Sequence, residues 1–276
     1  MDYLAHWPPG RDGHNPPLPT LYLLHGRGDE MASWLPFFDR LDESVHAGRV
    51  APMLAIAPDA PWSNRASWYV DSQFTDAADP GYAVETALTV DLVAHVDRLY
   101  STTPHRSARI VAGYSMGGSG ALRLALAHQR LFAAAIVLSP AVYVPLPPRD
   151  STARSSGAYG RGRRRFDADR YRELSYDALL GAVDPACPVE VFIAAGDDEY
   201  VHPDPRDARH DMPIEVARLH SRLSRAAGVS SHLRVFGGGH DRSIWWPALL
   251  DGLRIVAIPP SRSPRHDACP ADKLIW

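Results

Sequence analysis

Short apolar runs alternate along the chain with longer stretches whose apolar residues recur every three or four positions. Short continuous runs are typical of strands that are buried on both faces of a parallel sheet. Such strands are predicted over residues 20–24, 53–57, 110–112, 133–138, 189–194 and 232–236. A further strand is predicted over residues 3–7, where the turn residues Pro8-Pro9-Gly10 end it.

The stretches between these runs have helical periodicity. From Tyr82 to Tyr100 the apolar side chains recur at three- and four-residue steps, which indicates an amphipathic helix. Further helices are predicted over residues 121–127, 214–227 and 244–256, and Gly228 is a stop signal for the second of these. Strands that alternate with helices predict an α/β fold with a mostly parallel central sheet and helices on both faces.

One interruption of this alternation is long. Residues 145–172 are rich in Pro, Ser, Gly and Arg and have no sustained period. We interpret them as an excursion over the carboxyl-terminal edge of the sheet, part lid and part mobile loop. The chain has 276 residues, of which 45% are hydrophobic, so it is long enough to bury one full core. The prediction is a single domain over residues 1–257 and a loosely held tail over 258–276.

Composition excludes several partner classes. The net charge is −3, which gives no reason to expect nucleic acid or a membrane surface as a partner. No secretion signal and no long apolar segment is visible, so a cytoplasmic location is predicted. The only cysteines, Cys187 and Cys269, are too few for a disulfide framework, but a single bridge stays open. The oligomeric state does not follow from the sequence.

A serine flanked by glycines is the strongest chemical signal in the chain. Residues 110–118 read Ile-Val-Ala-Gly-Tyr-Ser-Met-Gly-Gly, which is a predicted strand followed by G-x-S-x-G and a helix-forming stretch. In such a nucleophile elbow, a side chain at Gly113 or Gly117 would collide with the neighbouring backbone. The strained turn holds Ser115 up at the sheet edge as the predicted nucleophile. The amide of Met116, at the start of a helix, is a predicted oxyanion donor.

A serine hydroxyl needs a base to take its proton and an acid to orient that base. His240 is the predicted base, because it follows the last strand through three glycines and completes the chain order serine, acid, histidine. The candidate acids directly follow Gly196. Spacing favours Glu199, with Asp198 as a close alternative.

Two further groups are expected around these residues. The loop after the strand at 20–24 should supply the second oxyanion donor, which we assign to the amide of Arg27. Aromatic residues in loops at the same edge are candidates for contact with the substrate. The residues predicted to contribute to substrate binding are Gly26, Trp68, Tyr69 and Trp246.

These motifs together resemble the putative-esterase family of α/β hydrolases. That family includes feruloyl and acetyl-xylan esterases, S-formylglutathione hydrolases, enterochelin esterases and mycolyltransferases. The resemblance is carried by residues 18–26, 68–72, 113–118, 196–199 and 237–241, with Trp246 six residues after the histidine. It implies the α/β-hydrolase fold, Ser115 as nucleophile, His240 as base, and the amides of Arg27 and Met116 as the oxyanion hole.

The resemblance has two departures. Similar proteins usually have an aspartate three residues after the glycine, where this chain has Glu199, so the choice between Asp198 and Glu199 stays open. Similar proteins also usually begin with another antiparallel strand before the segment matching residues 3–7. The expectation is that this chain is trimmed at its start or begins at a late methionine.

The predicted function is hydrolysis of a small or medium carboxylic ester through an acyl-enzyme on Ser115, with His240 as general base and with no cofactor and no metal. The partner is then a small-molecule ester. One alternative is transfer of the acyl group to a sugar or another alcohol, because a hydroxyl can intercept the same intermediate. The other is a catalytically silent hydrolase fold that is used for binding.

Overall fold

The computed structural model describes residues 1–10, 16–76, 81–200, 209–256 and 269. The strands in these residues are β1 (Tyr3–His6), β2 (Thr20–Leu24), β3 (Leu54–Pro58), β4 (Gln73–Phe74), β5 (Arg109–Tyr114), β6 (Ala134–Leu138), β7 (Arg161–Gly162), β8 (Val189–Gly196) and β9 (Val229–Phe236). The α-helices are α1 (Leu35–His46), α2 (Trp62–Arg65), α3 (Val84–Thr86), α4 (Val93–Leu99), α5 (Met116–Ala127), α6 (Ala168–Glu173), α7 (Tyr176–Leu180), α8 (Met212–Leu223) and α9 (Arg242–Ile255). A π-helical segment, Ala87–Leu92, joins α3 to α4, and short 3-10 turns cover Met31–Trp34, Arg106–Ala108 and Thr152–Arg154.

Seven strands form the central sheet in the order β1-β3-β2-β5-β6-β8-β9, and β4 pairs separately with β7. Only β1 runs antiparallel to its neighbour in this sheet, and every other pairing is parallel. Alternate side chains of the strands enter two core layers. One layer packs against α1 and α9, and the other packs against α4, α5 and α8. The prediction of a mostly parallel sheet with helices on both faces is therefore confirmed.

The buried runs of the sequence correspond to the central strands, since β2, β3 and β6 are buried at every residue. The last strand differs from its prediction. It begins at Val229 rather than His232 and is only partly buried, because it lies at the edge of the sheet. Neither face of this strand is fully buried, so polar residues such as Ser230 and Ser231 interrupt the apolar run, and a search for continuous apolar runs misses the start of the strand.

The excursion over residues 145–172 is more firmly packed than a mobile loop. Tyr159 and Tyr171 are buried and lie in edge contact with a ring separation of 4.8 Å. The Tyr171 hydroxyl donates a hydrogen bond to the carbonyl of Tyr143 at 2.9 Å. These contacts fix the excursion against the loop that follows β6, at the carboxyl end of the sheet. Whether part of it opens as a lid stays a prediction.

The two cysteines form a disulfide bond, with their Cα atoms 4.5 Å apart. Cys187 precedes β8, and Cys269 is the only residue of the predicted tail that the structure describes. The tail is therefore covalently anchored at residue 269, which the expectation of a loosely held tail did not include. None of the helices in the described part of the chain has the length and apolar character that spanning a bilayer requires.

Removing the disulfide should destabilise the fold. Cys187→Ser opens a loop of 82 residues in the unfolded chain, and we expect a loss of about 2–4 kcal/mol in the free energy of unfolding. Urea denaturation of the variant and of the wild type, with and without reductant, measures this loss. Cys269→Ser should give the same loss, and reductant should affect only the wild type. Equal stability of the oxidised and reduced wild type would contradict the prediction.

Candidate active site

Ser115 occupies the turn between β5 and α5 in a strained conformation, with φ 56° and ψ −120°. A Cβ on Gly117 would lie 2.1 Å from the Leu24 carbonyl oxygen, and a Cβ on Gly113 would lie 2.4 Å from the backbone of Gly117. No side chain fits at these distances, so both glycines are required by the close approach of β2, β5 and α5. The turn therefore has the geometry predicted for a nucleophile elbow.

Glu199, which follows β8, lies beside His240, which follows β9. The Nδ1 atom of His240 donates a hydrogen bond to Oε2 of Glu199 at 2.7 Å. Glu199 is 3% exposed, whereas Asp198 is exposed and lies at the rim of the cavity described below. Of the two acids that the sequence left open, the structure brings Glu199 to the histidine ring.

Glycines bring the loops of Glu199 and His240 together. A Cβ on Gly196 would lie 2.1 Å from the carbonyl oxygen of Gly238, which itself has a φ of +143°. The amide of Gly238 donates to Asp197 at 2.9 Å, and its carbonyl accepts from the amide of Asp198 at 3.0 Å. The two loops are thus hydrogen-bonded to each other, which holds Glu199 and His240 in register.

Hydrogen bonds to neighbouring residues hold the backbone of the loop that follows β2. The Tyr69 hydroxyl donates to the carbonyl of His25 at 2.9 Å, and the amide of Asp29 donates to the carbonyl of Gly26 at 3.2 Å. The amide of Gly28 donates to the carbonyl of Arg65 at 3.0 Å. Among the hydrogen bonds of the described residues, the amide of Arg27 has no acceptor. Hydrogen bonds therefore hold the loop on both sides of the Arg27 amide, which has no acceptor of its own among the described residues.

His25 supports this loop as a neutral imidazole. Burial lowers the pKa of His25, although the neighbouring Gly26 carbonyl and Asp59 carboxylate oppose that effect. Its Nε2 accepts the amide of Ala60 at 3.2 Å, so the proton is on Nδ1, which donates to the carbonyl of Gly26 at 2.8 Å. His25 is therefore a structural residue of this loop.

Arg65 holds the same loop from outside. Its guanidinium donates to Asp59 at 2.7 Å and to the carbonyl of Asp29 at 3.2 Å. Burial acts to raise the pKa of Asp59, but the hydrogen bonds and charge of Arg65 outweigh burial and lower it below the usual value. Arg65 reaches this position because Ser63, Asn64 and Arg65 all have positive φ, a left-handed turn that the sequence pattern did not reveal.

Ser115 and His240 open on one cavity of about 380 Å³. Its walls also include Arg27, Trp68, Met116, Glu199 and the rim residue Asp198, all of which the sequence assigned to the site. The lining residues that sequence reasoning missed are Ala141, Tyr143, Asp150, Ser151, Thr152, Tyr200 and Met212. Three of these, residues 150–152, belong to the excursion. The predicted position of the excursion over the carboxyl edge of the sheet was the one signal in the sequence that pointed to them.

Three predicted substrate-binding residues do not line this cavity. Tyr69 is completely buried and contacts His25 with its ring. Trp246 is 4% exposed and packs against Trp34 in the core layer of α1 and α9. Gly26 faces the ring of Tyr114, which a Cβ would approach to 2.7 Å. These residues support the site from behind, and of the predicted set only Trp68 lies on the cavity wall.

A sequence model of the family described as "Putative esterase" matches residues 3–255. The chain belongs to this esterase family. The matched span contains the whole central sheet and every residue that lines the cavity. The resemblance drawn from the motifs is thereby confirmed.

Relatives of known name match a smaller part of this esterase-family protein. Esterase Rv1288 of Mycobacterium tuberculosis (strain ATCC 25618 / H37Rv) is 31% identical over 118 residues, which is 42% of this chain and 24% of the relative. Esterase MT1326 of Mycobacterium tuberculosis (strain CDC 1551 / Oshkosh) has the same identity and coverage. The match thus spans about a quarter of the length of these relatives.

Solved structures of similar shape cover nearly the whole chain. A ferulic acid esterase superposes with a TM-score of 0.71 at 24% identity, over 92% of this chain and 90% of that one. An S-formylglutathione hydrolase from Agrobacterium tumefaciens gives 0.66 at 16% identity, over 92% and 86%. The fluorophosphonate-binding serine hydrolase FphF of Staphylococcus aureus gives 0.65 at 18% identity, over 92% and 91%. The predicted α/β-hydrolase fold is confirmed.

Proposed function

We propose that this protein hydrolyses carboxylic esters through an acyl-enzyme on Ser115. The observation that carries the proposal is the Glu199–His240 hydrogen bond, made at the cavity onto which the strained serine opens. Glu199 accepts the hydrogen bond of His240 Nδ1–H and so holds the tautomer in which Nε2 is unprotonated and can accept the proton of Ser115. A serine becomes nucleophilic at neutral pH only with such a base.

The expected reaction has two halves. Ser115 attacks the ester carbonyl as His240 takes its proton, and His240 then gives that proton to the departing alcohol. A water molecule, deprotonated by the same histidine, attacks the acyl-enzyme and releases the acid. Glu199 orients the imidazole and stabilises its charged form in both halves. No cofactor enters any step.

The amides of Arg27 and Met116 are the proposed oxyanion donors. Met116 is the first residue of α5, where backbone N–H groups have no partner within the helix. The amide of Arg27 has no acceptor among the described residues, whereas the amides of Gly28 and Asp29, which follow it, are paired. Both residues line the cavity beside Ser115, so the donors are oriented before substrate arrives, as electrostatic stabilisation of an oxyanion requires.

Arg65 should matter to this oxyanion hole without touching the substrate. Arg65→Met removes three guanidinium hydrogen bonds, two to Asp59 and one to the carbonyl of Asp29. We expect kcat to fall about 10- to 100-fold with little change in KM. Steady-state kinetics, together with the inhibition constant of a boronic acid that mimics the tetrahedral intermediate, measure the effect. Arg254→Met, which removes an exposed arginine from α9, is the matched control. A rise in KM alone would contradict this role.

A p-nitrophenyl ester series tests the function itself. We expect a burst of about one equivalent of p-nitrophenol, and a peptide containing Ser115 that carries the acyl mass. A fluorophosphonate probe should label the same peptide. Absence of both turnover and labelling would favour the catalytically silent alternative. Faster product formation on adding alcohols, with a new ester as product, would favour acyl transfer.

The compartment is a separate question. Cytoplasmic location stays a prediction, and the Cys187–Cys269 bond points away from it, because disulfides persist mainly in oxidising compartments. Alkylation of free thiols in freshly lysed cells, followed by mass spectrometry, shows whether the bond exists where the protein works.

A further inference from the structure

Glu199 accepts hydrogen bonds on both carboxylate oxygens, and only one of them comes from the histidine. Oε1 accepts the hydroxyl of Ser139 at 2.7 Å and also the amide of Gly196. The Oγ atom of Ser139 lies 2.9 Å from Nε1 of Trp245. Trp245, Ser139 and Glu199 therefore form a continuous buried chain of hydrogen bonds that ends at His240.

The direction of this chain follows from its first member. An indole N–H can donate but cannot accept, so Ser139 Oγ is the acceptor from Trp245. The single hydroxyl hydrogen of Ser139 is then left for Oε1 of Glu199. Because each donor faces one acceptor, the carboxylate is held in one orientation, with Oε2 turned toward His240.

Ser139 lies in a strained turn at the end of β6. Its φ is +40°, in a region that disfavours residues other than glycine, and its side chain is completely buried. Its amide donates to the carbonyl of Ala194 at 2.7 Å, which ties the end of β6 to β8. A glycine would adopt this backbone without strain but would leave Oε1 of Glu199 without the hydroxyl.

Trp245 contacts the ring of His240 as well as donating the first hydrogen bond of the series that ends at Glu199. Its ring meets the ring of His240 edge-on, with centroids 5.0 Å apart and planes at 87°. Its other face stacks on Tyr114 at 4.3 Å. This packing fixes the indole, and so the direction in which Nε1 points. Neither Trp245 nor Ser139 is among the residues that line the cavity.

We propose that Ser139 and Trp245 are positioning residues of the catalytic centre: they hold the carboxylate of Glu199 in the one orientation that receives His240. The proposal rests on the proposed function of the Ser115 site and deepens it. The two residues act through the acid, so their effect should fall on kcat and not on substrate binding.

Three substitutions separate the contributions. Ser139→Ala removes the hydroxyl and keeps the strained backbone, and Ser139→Gly removes both the hydroxyl and the strain. Trp245→Phe keeps an aromatic ring against His240 and removes the N–H. For both Ser139 variants we expect kcat to fall on the order of 10- to 100-fold with KM within about twofold, the loss typical of a hydrogen bond to a charged group. Ser139→Gly should be the more stable of the two.

The double variant tests whether Trp245 acts through Ser139. Trp245→Phe should lower kcat several-fold in the wild type and cause no further loss in Ser139→Ala, because the chain is already broken there. Trp34→Phe and Ser44→Ala are matched controls, since each alters a buried residue whose polar atom has no partner. Neither control should lower kcat.

Proton NMR of the His240 Nδ1–H provides a readout that does not depend on ester turnover. Its downfield resonance should shift and broaden in Ser139→Ala and Trp245→Phe and stay in place in the two controls. If the protein hydrolyses no ester, this resonance still tests the positioning proposal. An unchanged resonance together with wild-type kcat in Ser139→Gly, or additive losses in the double variant, would overturn it.

Discussion

Ser115→Ala should lower kcat for ester hydrolysis by about 10⁶-fold and abolish labelling by a fluorophosphonate. The variant keeps the cavity and the Glu199–His240 pair but has no oxygen that can be acylated. Because this variant does not turn the substrate over, it has no measurable KM. The dissociation constant of the substrate is measured instead, by its competition with a product of the wild-type reaction for the cavity. We expect that affinity to change little, because the serine hydroxyl contributes to the reaction more than to binding.

Ser119→Ala is the matched control for this prediction. Ser119 lies one turn further along α5, and within the described part of the chain its hydroxyl donates only to the carbonyl of Ser115, at 3.3 Å. This variant should keep full labelling and nearly full turnover. Labelling that survives in Ser115→Ala would mean that another residue is the nucleophile, and the proposed function would then be wrong.

Glu199→Gln should lower kcat by about 10⁴-fold, the loss expected when the orienting acid of a triad becomes an amide. The amide can donate a hydrogen bond to His240 and so favour the wrong ring tautomer, in which Nε2 carries the proton and cannot accept one. Rates of acylation and deacylation should both fall, because His240 acts in each. Pre-steady-state kinetics with a p-nitrophenyl ester separate the two rates.

Asp198→Asn tests the alternative acid under the same conditions. Asp198 is adjacent in sequence and exposed at the cavity rim, so its loss should change kcat by less than about threefold. Melting temperatures of both variants check that Glu199→Gln loses activity without unfolding. Equal and small losses in the two variants would show that neither residue orients the base.

The elbow at Ser115 and the position of His240 at the same edge of the sheet could be predicted because their signals are local. A strand-to-helix turn this tight leaves no room for a side chain two residues before or after the serine, which here are Gly113 and Gly117. The elbow is therefore visible in nine consecutive residues. His240 is visible because glycines precede it at the end of the last strand. The acid could not be separated from its neighbour by such reasoning. Asp198 and Glu199 differ by one position in an irregular loop, and which of them turns inward depends on the contact of that loop with Gly238.

The aromatic wall of the cavity was predicted only in part, since the face that a side chain presents depends on backbone dihedral angles. Trp68 and Tyr69 both have positive φ, which residues other than glycine rarely adopt. This turn places Trp68 on the cavity and directs Tyr69 toward His25. Periodicity carries no information about such a turn. Trp246 lies on the buried side of α9, which is decided by how that helix packs against α1.

The sequence by itself determined the alternation of strands and helices, the family, and the groups that can react, because each of these depends on residues that are close together in the chain. Only the tertiary structure decided that Glu199 is the acid that contacts His240, and that Ser139 and Trp245 are hydrogen-bonded in a chain to Glu199. It also decided that Cys187 is bonded to Cys269. Those contacts join residues that are between 41 and 106 positions apart. They exist only after the sheet has brought the ends of separate strands to one edge, and no local pattern records that distance.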